Sequence, residues 1–257
     1  MKRWLFIILV ACLSCVGQKD DPEPIPDPTP EEEGGEAEGS RFFHRVLALE
    51  FTGTWCQYCP NMSSALEDAK LFRPGRIVDI AVHCYDEFSP ACSDDYAEAF
   101  NVYAFPTMVF DMDANTTFNR SDSSIMVSYV DDTVGQNACG LAMSHEDGTL
   151  TVKVKAVQSG LYRLVVAIVE DGLVADQVGY GPNYVNKSVL RELLVSDITG
   201  DSLGAMSIKE EKIVTFEAEL TDNQRFVAYV LKDGVSQNAL SCKPNESIPY
   251  SYEKESD

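Results

Sequence analysis

The two cysteines of the run Glu50-Phe-Thr-Gly-Thr-Trp-Cys56-Gln-Tyr-Cys59-Pro60 are the residues best spaced for chemistry in this chain. A Cys-x-x-Cys pair at the start of a helix can close into a readily reduced disulfide. The positive end of the helix stabilises the Cys56 thiolate, which makes that sulfur the attacking nucleophile and leaves Cys59, one turn in, to resolve the adduct. Taken alone the spacing is ambiguous, since half of a zinc site and an inert structural disulfide share it.

The flanking elements narrow the reading. Arg45 to Thr52 reads as a short buried strand, and Met62, Leu66, Ala69 and Lys70 recur at helical spacing after the cysteines. Strand, tight turn and helix therefore follow in order. The other Cys-x-x-Cys, Cys12 to Cys15, belongs to the N-terminal apolar segment, and no His-x-x-x-His is present to complete a zinc site. Some fifty residues on, Phe105-Pro106-Thr107 precedes the strand Met108 to Phe110, and an X-Pro bond there is a candidate cis peptide.

With these motifs on the page, the chain resembles the thioredoxin superfamily over residues 41–138. Trp55, Cys56, Cys59 and Pro106 stand where that family has its active-site tryptophan, dithiol and cis-proline, and Glu50 matches its buried acid. The resemblance implies that Glu50 assists proton transfer to or from Cys59. It also implies that Pro106 presents backbone to a client chain.

Arg76 to His83 reads as a second buried strand, Asp94 to Asn101 as a helix, and Met126, Tyr129, Val130, Thr133 and Val134 as one helical face within 121–136. His83 is read as a structural strand residue. After Cys139 the apolar period changes to two: Leu150, Val152, Val154 and Ala156 alternate with polar residues, as do Val214, Phe216, Ala218 and Leu220. Strands over 161–170 and 226–232, with Asp-Gly turn signals at 147–148, 171–172 and 233–234, predict a β-sandwich over 139–257. The fold class is thus an α/β thioredoxin-like domain followed by an all-β sandwich-like domain.

Four further cysteines suggest structural disulfides in an oxidising compartment. Cys84 and Cys92 bracket a short loop, and Cys139 and Cys242 bracket the β domain. The alternatives are a second redox relay for the first pair and buried free thiols for the second.

The N-terminus supplies the compartment. Lys2 and Arg3 precede the apolar run Trp4 to Leu13, which is too short to span a bilayer and suits a signal peptide. Cys12 and Cys15 compete as the lipidated residue. Cys15 is favoured, because Gln18-Lys19-Asp20-Asp21 follows it and resembles an acidic export tag of surface lipoproteins, giving a signal over 1–15. A soluble secreted protein is the alternative. Residues 16–40 carry nine acids and five prolines and read as an extended tether.

The net charge is −21, and residues 40–257, with 17 basic and 32 acidic side chains, still carry −15. Such a surface repels phosphate, so nucleic acid is not an expected partner. Serine-hydrolase, P-loop and zinc-protease motifs are missing from the sequence.

The order of a Glu-x-Thr-Gly-x-Trp-Cys-x-x-Cys-Pro opening followed by a β-sandwich resembles the outer-membrane-protein-28-related lipoproteins. Val169 to Leu173, Gln177, and Tyr184 through Val189-Leu190-Arg191 carry that likeness in the second half. Where the family commonly has histidines, this chain has Asn186 and Ser188. The resemblance implies an envelope location and possible redox activity; with the N-terminal signal the expectation is a lipid-anchored protein of the outer membrane, and no cofactor or metal is expected. Its expected partners are envelope proteins with thiols or disulfides, together with a redox partner that the sequence does not name. A surface binding or adhesion lipoprotein, with the thioredoxin unit kept as a scaffold, is the competing function.

Overall fold

The computed structural model describes residues 41–254. Cys15, Cys12, the signal segment and the tether lie outside them. The thioredoxin-like unit contains strands β1 (Val46–Thr52), β2 (Ile77–His83) and β3 (Thr107–Phe110), with helices α1 (Cys59–Phe72), α2 (Ser93–Ala99) and α3 (Ser123–Thr133). β1 and β2 pair in parallel and β3 joins β1 antiparallel.

Both faces of this sheet are covered, which explains why β1 and β2 read as continuous apolar runs instead of alternating. Val46 and Ala48 pack against Met62, Leu66 and Ala69 of α1 and Met126 and Val130 of α3. Leu47, Leu49 and Phe51 point the other way, into a core shared with Tyr96 and Phe100 from α2 and its end.

The second half is built of strands β4 (Cys139–Glu146), β5 (Thr149–Ala156), β6 (Gly160–Glu170), β7 (Leu173–Gln177), β8 (Gly181–Asn186), β9 (Val189–Leu193), β10 (Asp201–Met206), β11 (Glu211–Glu217), β12 (Gln224–Lys232), β13 (Val235–Cys242) and β14 (Ser247–Ile248). The sheet β11-β5-β4-β14 forms one layer of a sandwich. Leu150, Val152 and Val154 from it meet Leu164, Val166, Phe226 and Ala228 from β6 and β12. Each of the three Asp-Gly pairs lies between successive strands.

The sheet does not stop at residue 139. β13-β12-β6-β9 continues through β9 into β2-β1-β3 as one eight-stranded sheet, β10 being the eighth strand, paired to β6. The join is the parallel pairing of Ala81 with Val189, where the Ala81 amide donates to Ser188 O at 2.8 Å. A core of Leu49, Ile80, Val165, Val227 and Tyr229 therefore crosses the sequence boundary. Within it the Tyr96 and Tyr229 hydroxyls bond each other at 2.6 Å. That pairing avoids the roughly 1–3 kcal/mol cost of burying either hydroxyl alone.

The two expected structural disulfides are corrected: Cys84, Cys92, Cys139 and Cys242 are free thiols. Cys139 O accepts from Asn238 of β13, whereas Cys242 Sγ lies by Glu246 O, to which the His145 amide also donates. The two cysteines thus sit at opposite ends of neighbouring strands, six residues apart along β4. That is roughly 13–20 Å at strand rise, counted along β13 or β4, beyond disulfide reach. Cys84 turns its Sγ toward Val82 O at 3.8 Å, and Cys84 and Cys92 both pack on the shared core as small apolar side chains.

Candidate functional site

The dithiol sits where β1 hands over to α1. Gly53 opens the turn, and a Cβ there would lie 2.6 Å from Trp55 Nε1 and 3.0 Å from Cys84 O. Only glycine lets the indole fold back to donate to Cys84 O, at 2.8 Å. The Cys56 amide donates to Gly53 O at 3.0 Å, and α1 begins at Cys59 with Pro60 next, a position where its missing N–H costs nothing. Cys56 and Cys59 are joined as a disulfide. Cys56 is 5% exposed and Cys59 1%, so the sulfur assigned as nucleophile is the more accessible one.

Trp55 is 43% exposed beside the pair and meets the Phe105 ring edge-on at 5.1 Å. Phe105-Pro106 is a cis peptide, and Pro106 is buried at the start of β3. Trp55, Cys56, Cys59 and the Phe105-Pro106 bond are thereby brought to one end of the sheet.

Glu50 is 4% exposed on the α1 side of β1. Ser63, one turn into α1 from Cys59, donates its hydroxyl to Glu50 Oε1 at 2.7 Å and to Cys59 O at 3.3 Å. Burial pushes the Glu50 carboxyl up from 4.5 to about 8; the Ser63 hydrogen bond opposes this and the nearby negative charge of Asp79 adds to it. A carboxyl so poised can hold a proton near neutral pH and exchange it with a thiol.

Asp79, on the same side of β2, behaves oppositely. Burial opposes its ionisation, but Lys70 at 2.9 Å, the Ser188 hydroxyl and the Arg225 charge outweigh burial and hold its carboxyl below the ordinary range. Two neighbouring buried acids are thus driven apart, one toward the proton and one toward the charge.

Several residues of the site come from the β-rich half, where sequence periodicity gave them no role. Gln177, 2% exposed at the end of β7, donates its Nε2 to Gly53 O at 3.1 Å and Cys56 O at 2.7 Å. The Val178 amide donates to Thr54 O at 2.9 Å, and the Tyr180 hydroxyl donates to Asn61 Oδ1 at 2.8 Å. The β7–β8 hairpin therefore lies on the Cys-x-x-Cys turn. A signal for Gln177 exists in the sequence: it follows Ala175 at the inward phase of a strand, a position that normally takes an apolar residue.

Between hairpin, α1 and β2 lies a cavity of about 410 Å³ lined by Glu50, Ser63, Asp79, His83, Gln177 and Tyr184 among others. His83 bonds Asp86 Oδ2 through Nδ1 at 2.7 Å, and Asp86 accepts the Thr54 amide at 2.8 Å, so His83 supports the Cys-x-x-Cys turn. Asn186 and Ser188 bond protein groups, donating to Leu173 O at 3.1 Å and to Asp79 respectively. No group of metal-binding side chains occurs among the described residues.

The fold is similar to that of HBP35 of Porphyromonas gingivalis, with a TM-score of 0.69 at 16% identity over 85% of this chain and 81% of that one. It is also similar to a protein from Agrobacterium tumefaciens, with a TM-score of 0.62 at 13% identity over 78% of this chain and 95% of that one. No protein-family model matches the chain, and no curated protein matches it. At these identities the likeness is one of fold: a thioredoxin-like unit fused to a β-sandwich, with a bonded Cys56–Cys59 pair at the end of its sheet.

Proposed function

We propose that this protein is a thiol–disulfide oxidoreductase of the cell envelope, held to the outer membrane by a lipid on Cys15 and acting on envelope protein disulfides. The observation that carries the redox reading is the Cys56–Cys59 pair set beside exposed Trp55, with Ser63 linking Cys59 to the buried Glu50. The reduced protein attacks a client disulfide through the Cys56 thiolate, and one client sulfur leaves as a thiolate. Cys59 then gives up its proton and attacks Cys56 Sγ. The Cys56–client bond breaks, the Cys56–Cys59 bond forms, and the client is left reduced as a dithiol. Run backward, the same steps oxidise a client.

The envelope assignment rests on the apolar run Trp4 to Leu13, the cysteine after it, and the acidic tether.

Cys59→Ser keeps the nucleophile and removes the resolver, so client proteins accumulate as mixed disulfides on Cys56, whereas Cys56→Ser traps none. Absence of trapped clients from both variants supports the binding-lipoprotein alternative, in which the thioredoxin unit is a scaffold.

A further inference from the structure

The face of the sheet that packs on α1 changes character along its length. Val46, Ala48 and Ile77 lie apolar against the helices, but the inward positions toward the carboxyl ends of β1 and β2 include Glu50, Thr52, Asp79 and His83. All four line the cavity beneath the β7–β8 hairpin. Open α/β sheets hold their ligands at this end of parallel strands. Asp79 is bonded to Lys70 and Ser188. The other three have atoms to spare: Glu50 is 4% exposed, Thr52 7% and His83 1%, yet Glu50 Oε2, Thr52 Oγ1 and His83 Nε2 have no hydrogen-bond partner among the described residues. No unpartnered polar side-chain atom of the described residues is sealed within protein, so each of these opens onto the cavity. Thr52 and His83 are direct partners in the β1–β2 register, and Glu50 lies two residues before Thr52 on the same face.

All three atoms can accept. In the neutral ring His83 Nδ1 donates to Asp86 Oδ2, which leaves Nε2 its lone pair, and the hydroxyl and carboxyl oxygens accept as well. The charges around them favour a cation. Glu50, Glu67 and Asp79 line the cavity against one ammonium, Lys187, which is itself bonded to Glu67 at 3.2 Å. Glu67 and Asp79 both pair with Lys70, whereas Glu50 has no basic partner among the described residues. An anion would be repelled by the Glu67 and Asp79 carboxylates. The Tyr180 and Tyr184 rings, edge-on at 5.7 Å, add aromatic surface of the kind that organic cations favour. The volume of about 410 Å³ suits a small ligand.

We propose that this cavity is a binding site for a small organic cation with several N–H donors, a guanidinium group above all, held on Glu50, Thr52 and His83. The site goes beyond the oxidoreductase reading and does not depend on it. A guanidinium presents planar N–H donors to the three acceptors and brings Glu50 the positive partner it lacks. Binding therefore draws Glu50 into its carboxylate form and releases the proton that burial holds there. The other groups facing Glu50 are Glu67 and Lys70 from α1, Asp79 and His83 from β2, and Tyr184 with Lys187 from the hairpin and its exit. Asp79 is held below its ordinary range, and Lys70 and Tyr184 above theirs, so none of the three titrates between about pH 7 and 9.

The test is calorimetric titration of the oxidised full chain with butylguanidinium at fixed ionic strength. Butylurea has the same shape without the charge, and tetramethylammonium has the charge without the donors. The expected result is saturable binding of butylguanidinium, at least roughly tenfold tighter than either comparator. A carboxyl titrating at about 8 is roughly one-tenth ionised at pH 7 and nine-tenths at pH 9, so the affinity should rise about tenfold across that interval and lose the rise in Glu50→Gln. Thr52→Val, which keeps the side-chain shape and removes the hydroxyl, should weaken butylguanidinium roughly fivefold or more. An arginine tripeptide with blocked termini separates the sources of the group: binding tighter than butylguanidinium marks an arginine of a polypeptide, weaker binding marks a free cation, and either upholds the site. Absence of saturable butylguanidinium binding to the wild type overturns the assignment, as does equal binding of butylurea or tetramethylammonium; these outcomes stand whether or not a variant folds. A pH rise that persists unchanged in Glu50→Gln overturns it too.

Discussion

Replacing Glu50 with glutamine removes one buried titration while keeping the acceptor that Ser63 uses. The folded protein holds this proton up to about pH 8, whereas the ordinary carboxyl of the unfolded chain releases it near 4.5. Below that lower value both states are protonated and the substitution should be nearly neutral. Through the window between the two, the native state binds a proton that the unfolded state has lost, so wild-type stability falls as pH rises. At about 1.4 kcal/mol for each tenfold change in proton affinity, the gap corresponds to about 5 kcal/mol. Water entering the cavity beside Glu50 solvates the carboxylate and lowers this, so Glu50→Gln should be more stable than wild type by about 2–5 kcal/mol above pH 8. Urea unfolding of the oxidised proteins across about pH 4 to 9, analysed as the difference between variant and wild type, isolates this effect. Other buried acids, such as Asp111 with its carboxyl pushed up to about 7, cancel in that difference. A difference independent of pH would refute the claim that Glu50 carries a proton in the folded state near neutrality.

Two further outcomes follow from the cysteines. Cys15→Ala should leave unprocessed or released protein while Cys12→Ala changes little; mass spectrometry of the mature N-terminus that finds acyl chains on Cys12 moves the boundary. Alkylation of the denatured, unreduced protein should label Cys84, Cys92, Cys139 and Cys242 and leave Cys56 and Cys59 bridged, and a peptide linking Cys139 to Cys242 would contradict the strand register described above.

The Cys-x-x-Cys turn is legible in the sequence because its information is local. Trp55, Cys56 and Cys59 lie within one turn, and Pro106 marks the start of β3 by its own backbone chemistry. Both halves of the fold also follow from periodicity, since buried parallel strands and half-exposed sandwich strands leave different patterns. What periodicity leaves out is long-range. Gln177 reaches Cys56 across 121 residues of chain, and nothing in the spacing of β7 says which surface its hairpin will meet. The eight-stranded sheet is hidden for the same reason, because a single parallel pairing of Ala81 with Val189 joins its halves. The Cys139–Cys242 expectation fails because sequence brackets do not give strand direction, and direction puts these thiols at opposite ends of neighbouring strands. Ser63 looks like an ordinary exposed-face helix residue until Glu50 is seen beneath it.

The central claim is that Cys56–Cys59 is a working redox pair and not a structural bridge. Equilibrating the full chain with glutathione or dithiothreitol buffers of graded potential, and trapping the thiols by alkylation, gives its reduction potential directly. A working pair should fall above about −300 mV, within the range of thiol–disulfide exchange proteins, and the reduced Cys56 should alkylate before Cys59 with a thiol pKa below the ~8.5 of a free cysteine. A potential below about −300 mV, together with a Cys56 that alkylates no faster than an unperturbed thiol, would contradict the account.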